Sequence, residues 1–161
     1  MRIAGMIQDS IVDGPGLRFV VFAQGCRLRC EGCHNPGTWD LQGGDEVSAD
    51  EIIAQMLSNP LTDGLTLSGG EPFLQSDDCV RIAAAARERG LNVWTFTGYT
   101  FEELLPVAEY RPLLELTDVL VDGPFVAGER SFDLKWRGSR NQRVVDVPKS
   151  IEAGAAVELN C

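Results

Sequence analysis

Apolar and polar residues follow one another along the chain in blocks that predict strands and helices in turn. Four short segments are predicted to be strands, and the first of them is apolar on both faces after its start. They cover residues 17–23, 65–67, 92–96 and 118–122. Helix-like segments alternate with these runs, so the chain is expected to contain both kinds of element.

Each predicted helix begins or ends at a recognisable signal. The first runs from a capping box at Ser48–Glu51 to the Asn59-Pro60 stop. The second ends at Gly90, and the third begins at a capping box formed by Thr100 and Glu103. After Gly123 the pattern is less regular, and one more strand is predicted over residues 142–147.

The alternation of strand and helix predicts the fold class. Strands that alternate with helices form a parallel sheet with crossover helices. A closed barrel of eight such units takes about 250 residues, and this chain has 161. We therefore predict a single α/β domain over residues 1–161, folded as a partial open barrel with five to six mostly parallel strands.

Composition and charge narrow the function classes. The formal net charge of −10 argues against a nucleic-acid partner, because neutralising phosphates requires a basic face. No segment approaches the roughly 20 apolar residues of a membrane span, and residues 1–10 hold no apolar run typical of a signal peptide. We therefore expect a cytoplasmic protein without a membrane partner. In the cytoplasm, five cysteines are metal ligands, nucleophiles or buried thiols more often than disulfides.

Unusual residues follow the ends of all four predicted strands. Because the carboxyl ends of parallel strands share one edge of a sheet, where α/β proteins bind ligands, these residues are expected to form a site. In chain order they are Gly25-Cys26, Ser68–Glu71, Thr97-Gly98 and Asp122-Gly123.

Three cysteines lie close together after the first predicted strand. Cys26, Cys30 and Cys33 have the spacing C-x3-C-x2-C. Thiolates are ligands for iron–sulfur clusters, zinc and copper(I). A closed zinc site or a closed cubane cluster takes four ligands, so three cysteines leave one position open. Zinc with His34 as the fourth ligand, and three structural thiols, are the alternative interpretations.

The cysteine spacing together with Gly69-Gly70-Glu71-Pro72 after the second strand resembles the radical S-adenosylmethionine (SAM) superfamily. The resemblance implies that Cys26, Cys30 and Cys33 hold a [4Fe-4S] cluster whose fourth iron is chelated by SAM. It also implies that the glycine-rich segment lies beside the amino group of SAM. The aromatic residue that usually precedes the third cysteine in this superfamily is replaced by Gly32.

Further segments are similar to one branch, the activating proteins of anaerobic ribonucleotide reductase. The similarity extends over nearly the whole chain. It rests on the Asp13–Arg18 segment, the run Cys30–Trp39, Phe96–Thr100, Asp118–Phe125 and Arg137–Arg143.

The resemblance implies a set of residues around SAM. Gly32, His34, Gly69 and Gly70 are placed against SAM mostly through their backbone, and Cys33 is placed there with them. Two further carboxylates, a threonine and an arginine complete the predicted set. Glu71 orients a backbone amide or is a solvated helix-start carboxylate, Thr97 and Asp122 are candidates at strand ends, and Arg143 is the arginine chosen for the SAM carboxylate.

The resemblance also implies the reaction and the partners. A donor such as flavodoxin supplies one electron, SAM is cleaved to methionine and a 5′-deoxyadenosyl radical, and that radical takes a hydrogen atom from a glycine of the large catalytic subunit of anaerobic ribonucleotide reductase. No catalytic residue beyond cluster and SAM is implied, and a homodimer is compatible with the sequence. The alternatives are an activase of a different glycyl radical enzyme and a non-catalytic iron–sulfur or zinc module.

Three smaller predictions concern polar residues. Arg18 is expected to form an internal ion pair, and Asp13 to help close the site from beneath. A basic cluster, Lys135, Arg137, Arg140 and Arg143, is interpreted either as a solvated hairpin or as a docking surface for the reductase or for an acidic flavodoxin.

Overall fold

A computed structural model describes residues 1–161 as one seven-stranded sheet with five α-helices. The strands are β1 Arg2–Ser10, β2 Arg18–Ala23, β3 Asp45–Glu46, β4 Gly64–Gly69, β5 Asn92–Phe96, β6 Val119–Asp122 and β7 Arg143–Asp146. The helices are α1 Ala49–Ser58, α2 Ser76–Glu88, α3 Phe101–Leu104, α4 Arg111–Leu116 and α5 Val147–Ala153.

The sheet is a partial barrel that does not close. Its strand order is β3-β1-β2-β4-β5-β6-β7, and the four central strands from β2 to β6 pair in parallel. The predicted α/β class and open barrel are confirmed. The strand predicted over residues 142–147 is β7, which pairs antiparallel with β6. The sheet has more strands than expected because β1 and β3 add antiparallel pairings at the other side.

The helices pack on one face of this sheet and bury the main core. Alternate strand residues point into that core, among them Phe19, Val21, Leu65 and Leu67. The opposite face carries a smaller apolar cluster around Trp94, Val121 and Val144. None of the helices has the length and apolar character needed to cross a membrane.

The helix signals in the sequence act as predicted. The Ser48 hydroxyl accepts a hydrogen bond from the Glu51 N–H at 3.1 Å, and α1 starts at the next residue. Thr100 and Glu103 form a reciprocal capping box at the start of α3. Gly90 follows α2 with φ of 76°, a conformation that glycine adopts without strain.

Arg18 lies inside the protein without the predicted ion pair. Its guanidinium group is fully buried and donates to the Thr66 hydroxyl, to Asn92 Oδ1 and to the carbonyl oxygens of Pro15 and Leu65. Burial lowers its pKa to about 10. The expectation of an ion pair was wrong, because neutral oxygens at the starts of β2, β4 and β5 satisfy the group instead.

Candidate functional site

The carboxyl ends of β2, β4, β5 and β6 surround one cavity, which we call the cysteine cavity. It has a volume of about 120 Å³. Residues from each of the four strand ends line it, as the strand-end pattern predicted. Its lining includes Cys26, Cys30, Cys33, Ser68, Gly69, Gly70, Glu71, Thr97, Gly98, Gly123, Phe125 and Gln142.

The three cysteines of the loop after β2 all face this cavity. Each is a free thiol and each is partly buried. Burial raises the pKa of the Cys26 thiol, although N–H groups of Leu28 and Arg29 act in the opposite direction. No three His, Cys, Asp or Glu side chains are close enough together to hold a single metal ion.

The donor set fits an iron–sulfur cluster. Three soft sulfur ligands on one loop match the chemistry of such clusters, and all three line the same cavity. The remaining two cysteines lie elsewhere, since Cys79 is buried in the main core and Cys161 is exposed at the C-terminal end. The lining therefore supplies three thiolates and leaves one iron of a cubane cluster for another ligand.

Gly69 and Gly70 lie directly against the backbone that leads to the cysteines. The Gly70 N–H donates to the Ala23 carbonyl oxygen at 2.7 Å, and the Glu71 N–H donates to the Gly25 carbonyl oxygen at 2.8 Å. A methyl group on Gly70 would lie 2.4 Å from that Gly25 oxygen. The glycines are therefore needed for close contact between the ends of β4 and β2, a reason that the sequence did not show.

Glu71 is buried beneath the cavity and bridges two strand ends. Only 1% of the residue is exposed. Its carboxylate accepts hydrogen bonds from the Thr97 hydroxyl at 2.9 Å, from the Gly98 N–H at 2.9 Å and from the Phe73 N–H at 3.2 Å. Burial raises its pKa to about 7, although these hydrogen bonds act in the opposite direction. The structure favours the interpretation that Glu71 orients backbone amides, and the alternative of a solvated carboxylate was wrong.

Asp122 and Arg143 do not line the cysteine cavity. The Arg143 guanidinium donates to both carboxylate oxygens of Asp122, at 3.0 and 2.6 Å, and also pairs with Glu102. Asp122 is fully buried and also accepts from the Phe101 N–H at 2.7 Å. The choice of Arg143 for the SAM carboxylate is therefore corrected: its donors are occupied by two carboxylates that hold β6, β7 and α3 together.

A second cavity of about 450 Å³, the side cavity, adjoins the first. The two share Cys33, Ser68, Phe96, Phe125 and Gln142 in their walls. The side cavity is further lined by Val12, Asp13, Phe22, His34, Asn35, Trp136, Arg137 and Gly138. Together the two cavities extend the site from the cysteine loop across the face of the sheet that carries no helices.

His34 and Gly32 are placed differently with respect to these cavities. The His34 ring packs against Phe125 with ring centroids 4.9 Å apart, and it lines the side cavity. Gly32 lines neither cavity, but a Cβ there would contact the Phe125 ring at 3.4 Å. Phe125 therefore links both residues to the site.

Gln142 and Arg137 belong to the site although the sequence did not single out their roles. The Gln142 amide accepts from the Gly138 N–H at 2.9 Å and donates to the Gly123 carbonyl oxygen at 3.0 Å, so it ties the last loop to the end of β6. Arg137 donates through Nη1 to the Gln142 carbonyl oxygen at 2.9 Å, and its buried Nε has no partner. The signals for them in the sequence were the basic cluster, which includes Arg137, and the segment Arg137–Arg143, on which the resemblance partly rests.

Comparisons with known proteins agree with this geometry. A family model described as a 4Fe-4S single cluster domain matches residues 12–145, which include all three cysteines of the cavity. The chain is 37% identical over 152 residues to an anaerobic ribonucleoside-triphosphate reductase-activating protein of Salmonella typhimurium, covering 89% of this chain and 97% of that protein. The corresponding protein of Escherichia coli K12 is 36% identical over 142 residues, with 83% and 91% covered.

A relative with a different named partner is also similar. The pyruvate formate-lyase-activating enzyme of Clostridium pasteurianum is 40% identical over 126 residues, which cover 74% of this chain but only half of that enzyme. The chain belongs to the 4Fe-4S single cluster domain family, as a relative of the activating proteins of anaerobic ribonucleoside-triphosphate reductase.

Proposed function

We propose that this chain is a radical SAM activase that generates a glycyl radical on the large catalytic subunit of anaerobic ribonucleotide reductase. The observation that carries the proposal is the cysteine cavity, in which Cys26, Cys30 and Cys33 face Gly69 and Gly70 across one edge of the sheet. The relatives that match the chain over most of their own length are reductase-activating proteins.

The residues of the chain would divide the work between holding the cluster and shaping the SAM site. Cys26, Cys30 and Cys33 would bind the cluster as thiolates. When bound, the cluster and SAM supply a one-electron cleavage of the sulfonium. Gly69 and Gly70 would present backbone groups to SAM, and Glu71 keeps the Thr97-Gly98 turn in place through its buried hydrogen bonds.

The side cavity supports a role in receiving the partner. It adjoins the cysteine cavity through Cys33, Ser68 and Phe125, and its volume of about 450 Å³ exceeds the volume of about 120 Å³ of that cavity. It can therefore admit a segment of a partner beside the proposed cluster site. We propose that the glycine-bearing segment of the reductase enters the site from this cavity.

The test begins with anaerobic reconstitution with iron and sulfide. Iron content and the electron paramagnetic resonance spectrum, with and without SAM, are compared among wild type, single serine variants of the three cavity cysteines and Cys161→Ser as the matched control. We expect a [4Fe-4S]⁺ signal that changes with SAM in wild type and control, and loss of that behaviour in each cavity variant. A signal indifferent to SAM, or equal iron in all variants, would refute the proposal.

The partner is tested separately because the pyruvate formate-lyase-activating enzyme has the higher identity, 40%, over its matched half. The reduced protein with SAM is mixed with the large reductase subunit or with pyruvate formate-lyase, and radical formation is followed by electron paramagnetic resonance. A protein radical on the reductase alone supports the proposal, and one on the lyase alone favours the second activity. Supply of the electron by a flavodoxin, a cytoplasmic location and a homodimer remain predictions.

A further inference from the structure

The cysteine loop has a second, outward-facing side that the proposed reaction does not use. A third cavity of about 750 Å³, the outer cavity, lies there. It is lined by Cys26, Arg27, Arg29, Pro36, Gly37, Trp39, Asp40, Leu41 and Gln42. Cys26 is the one cysteine that lines both this cavity and the cysteine cavity, so it connects the solvent side of the loop with the proposed cluster site.

Two arginines at this cavity are free to meet a partner. Arg27 and Arg29 are exposed, and neither guanidinium group forms a hydrogen bond or ion pair within the chain. Asp40 is the only acidic residue in the lining. The outer cavity therefore has a net positive lining in a chain whose formal net charge is −10.

The opposite wall of the outer cavity is held in one conformation. The Gln24 side chain donates to the carbonyl oxygens of Gly37 at 3.1 Å and of Asp40 at 2.8 Å. The Arg2 guanidinium donates to the carbonyl oxygens of Gln42 and Gly43 at 3.1 and 3.2 Å. These bonds fix a surface on which Leu41 is 43% exposed, and a preformed surface costs little to order on binding.

We propose that the outer cavity is the docking surface for a small redox protein with an acidic rim that delivers the electron. This inference rests on the proposed function, because it names the partner that reduces the site. One electron would pass from the reduced donor to the cluster that Cys26, Cys30 and Cys33 would hold. The donor would be left oxidised by one electron, the cluster would be reduced by one, and no bond would form or break. An acidic rim is favoured because Arg27 and Arg29 are unpaired, and because the net charge of −10 would repel an acidic partner from the chain as a whole.

The side cavity is a poorer place for this donor. It adjoins the cysteine cavity through Cys33, and we assigned it to the reductase. Of the predicted basic cluster, Arg143 is engaged with Asp122 and Glu102, and Arg137 lines the side cavity. A donor bound at the outer cavity would approach the site from the other side of the cysteine loop. The side cavity would then stay free for the reductase.

The test uses a double variant of the outer cavity and a charge-matched control. The double variant Arg27→Glu with Arg29→Asn lowers the net charge of the protein by three. Asparagine is chosen at position 29 because it tolerates the φ of 49° that the backbone adopts there. The control, Arg89→Glu with Arg81→Gln, makes the same change on α2 and its C-terminal end, where Arg89 lies near the amino ends of the strands. Leu41→Glu is a further variant of the same surface outside the cysteine loop.

The probe is an acidic flavodoxin, titrated in its oxidised form by calorimetry into metal-free and reconstituted protein at low and high salt. We expect its Kd to rise at least about tenfold at low salt in the double variant, because rim charges steer association. It should also rise in Leu41→Glu, stay unchanged in the control, and differ little among the proteins in about 1 M salt, where the Debye length is about 3 Å.

A second measurement separates docking from the chemistry of the site. The rate of reduction by reduced flavodoxin should fall with the affinity, whereas reduction by dithionite and the SAM cleavage that follows should match wild type. Wild-type affinity in the double variant and in Leu41→Glu would overturn the proposal, and so would an equal loss in the control. Failure of the proposed function would instead appear as no SAM cleavage with dithionite in the wild-type protein.

Discussion

The contact between the ends of β4 and β2 can be tested with Gly70→Ala. The added methyl group would lie 2.4 Å from the Gly25 carbonyl oxygen and 3.0 Å from the Ala23 carbonyl oxygen. Both are backbone atoms, so no side-chain rotation can relieve the contact. The segment has to move away from β2, which breaks or lengthens the bonds from the Gly70 N–H and from the Glu71 N–H.

The size of the effect follows from these contacts. Two weakened hydrogen bonds cost about 1 kcal/mol each, and overpacking of a closely packed site costs about 1–3 kcal/mol. We expect the free energy of unfolding to fall by about 3–5 kcal/mol. For a protein of this size, 1 kcal/mol shifts Tm by about 2–4 °C, so Tm should fall by about 6–20 °C.

The assay is thermal and urea unfolding of the metal-free protein, with Gly5→Ala as the control. A Cβ added at Gly5 would have no heavy atom within 4 Å, and the residue lies in β1, so its alanine variant should be as stable as wild type or slightly more stable. SAM binding to the reconstituted Gly70→Ala protein, where it folds, should also weaken. Equal unfolding free energies for the two alanine variants would refute the argument that backbone contact requires the glycine.

Three other residues give further predictions. The pKa of Glu71 is raised to about 7 in the folded state, so the free energy of unfolding should fall by on the order of 3 kcal/mol as pH rises from about 4.5 to 7. Urea unfolding across that range should show a flatter pH dependence for Glu71→Gln than for wild type. Arg18→Met leaves several buried oxygens without donors and should cost more than about 3 kcal/mol in the same assay, whereas an unchanged midpoint would contradict the role assigned to the buried guanidinium. Arg143→Ala leaves the buried Asp122 carboxylate without its partner and should lower the free energy of unfolding by about 3–5 kcal/mol. Calorimetry of the folded, reconstituted protein should find the affinity for SAM little changed. A large loss of SAM affinity with intact stability would return Arg143 to the cofactor site.

The central strands were predictable because burial leaves a clear pattern. Most residues of β2, β4, β5 and β6 are buried, so apolar residues recur along these strands and charged residues occur only at their ends. β1 was missed because it is partly exposed, pairs with β2 through two irregularities and has exposed residues such as Ile7 and Gln8. α4 was missed because Pro112 lies in its first turn, where proline starts a helix, although the pattern offered no cap to show this.

The site was predictable where residues are close in sequence and not where the fold brings them together. The spacing of Cys26, Cys30 and Cys33 is local, and so is the Gly69-Gly70 pair. The Glu71–Thr97 contact joins residues 26 positions apart, and the Asp122–Arg143 pair joins residues 21 positions apart. Such pairings depend on strand order, so a sequence that identifies both partners does not indicate that they meet.

The unclosed sheet has a consequence for the kind of molecule that the site can treat. In a complete barrel, strands surround the interior, and a substrate can enter only at one end. This sheet instead has two free edges, at β3 and at β7. The interval between those edges leaves a side from which a segment of folded protein can approach. The cost is that the chain by itself offers little shelter from water for a reactive species. In the proposed function, the substrate protein covers the open side of the sheet. A cavity that is closed to water therefore exists only in the complex of the two proteins.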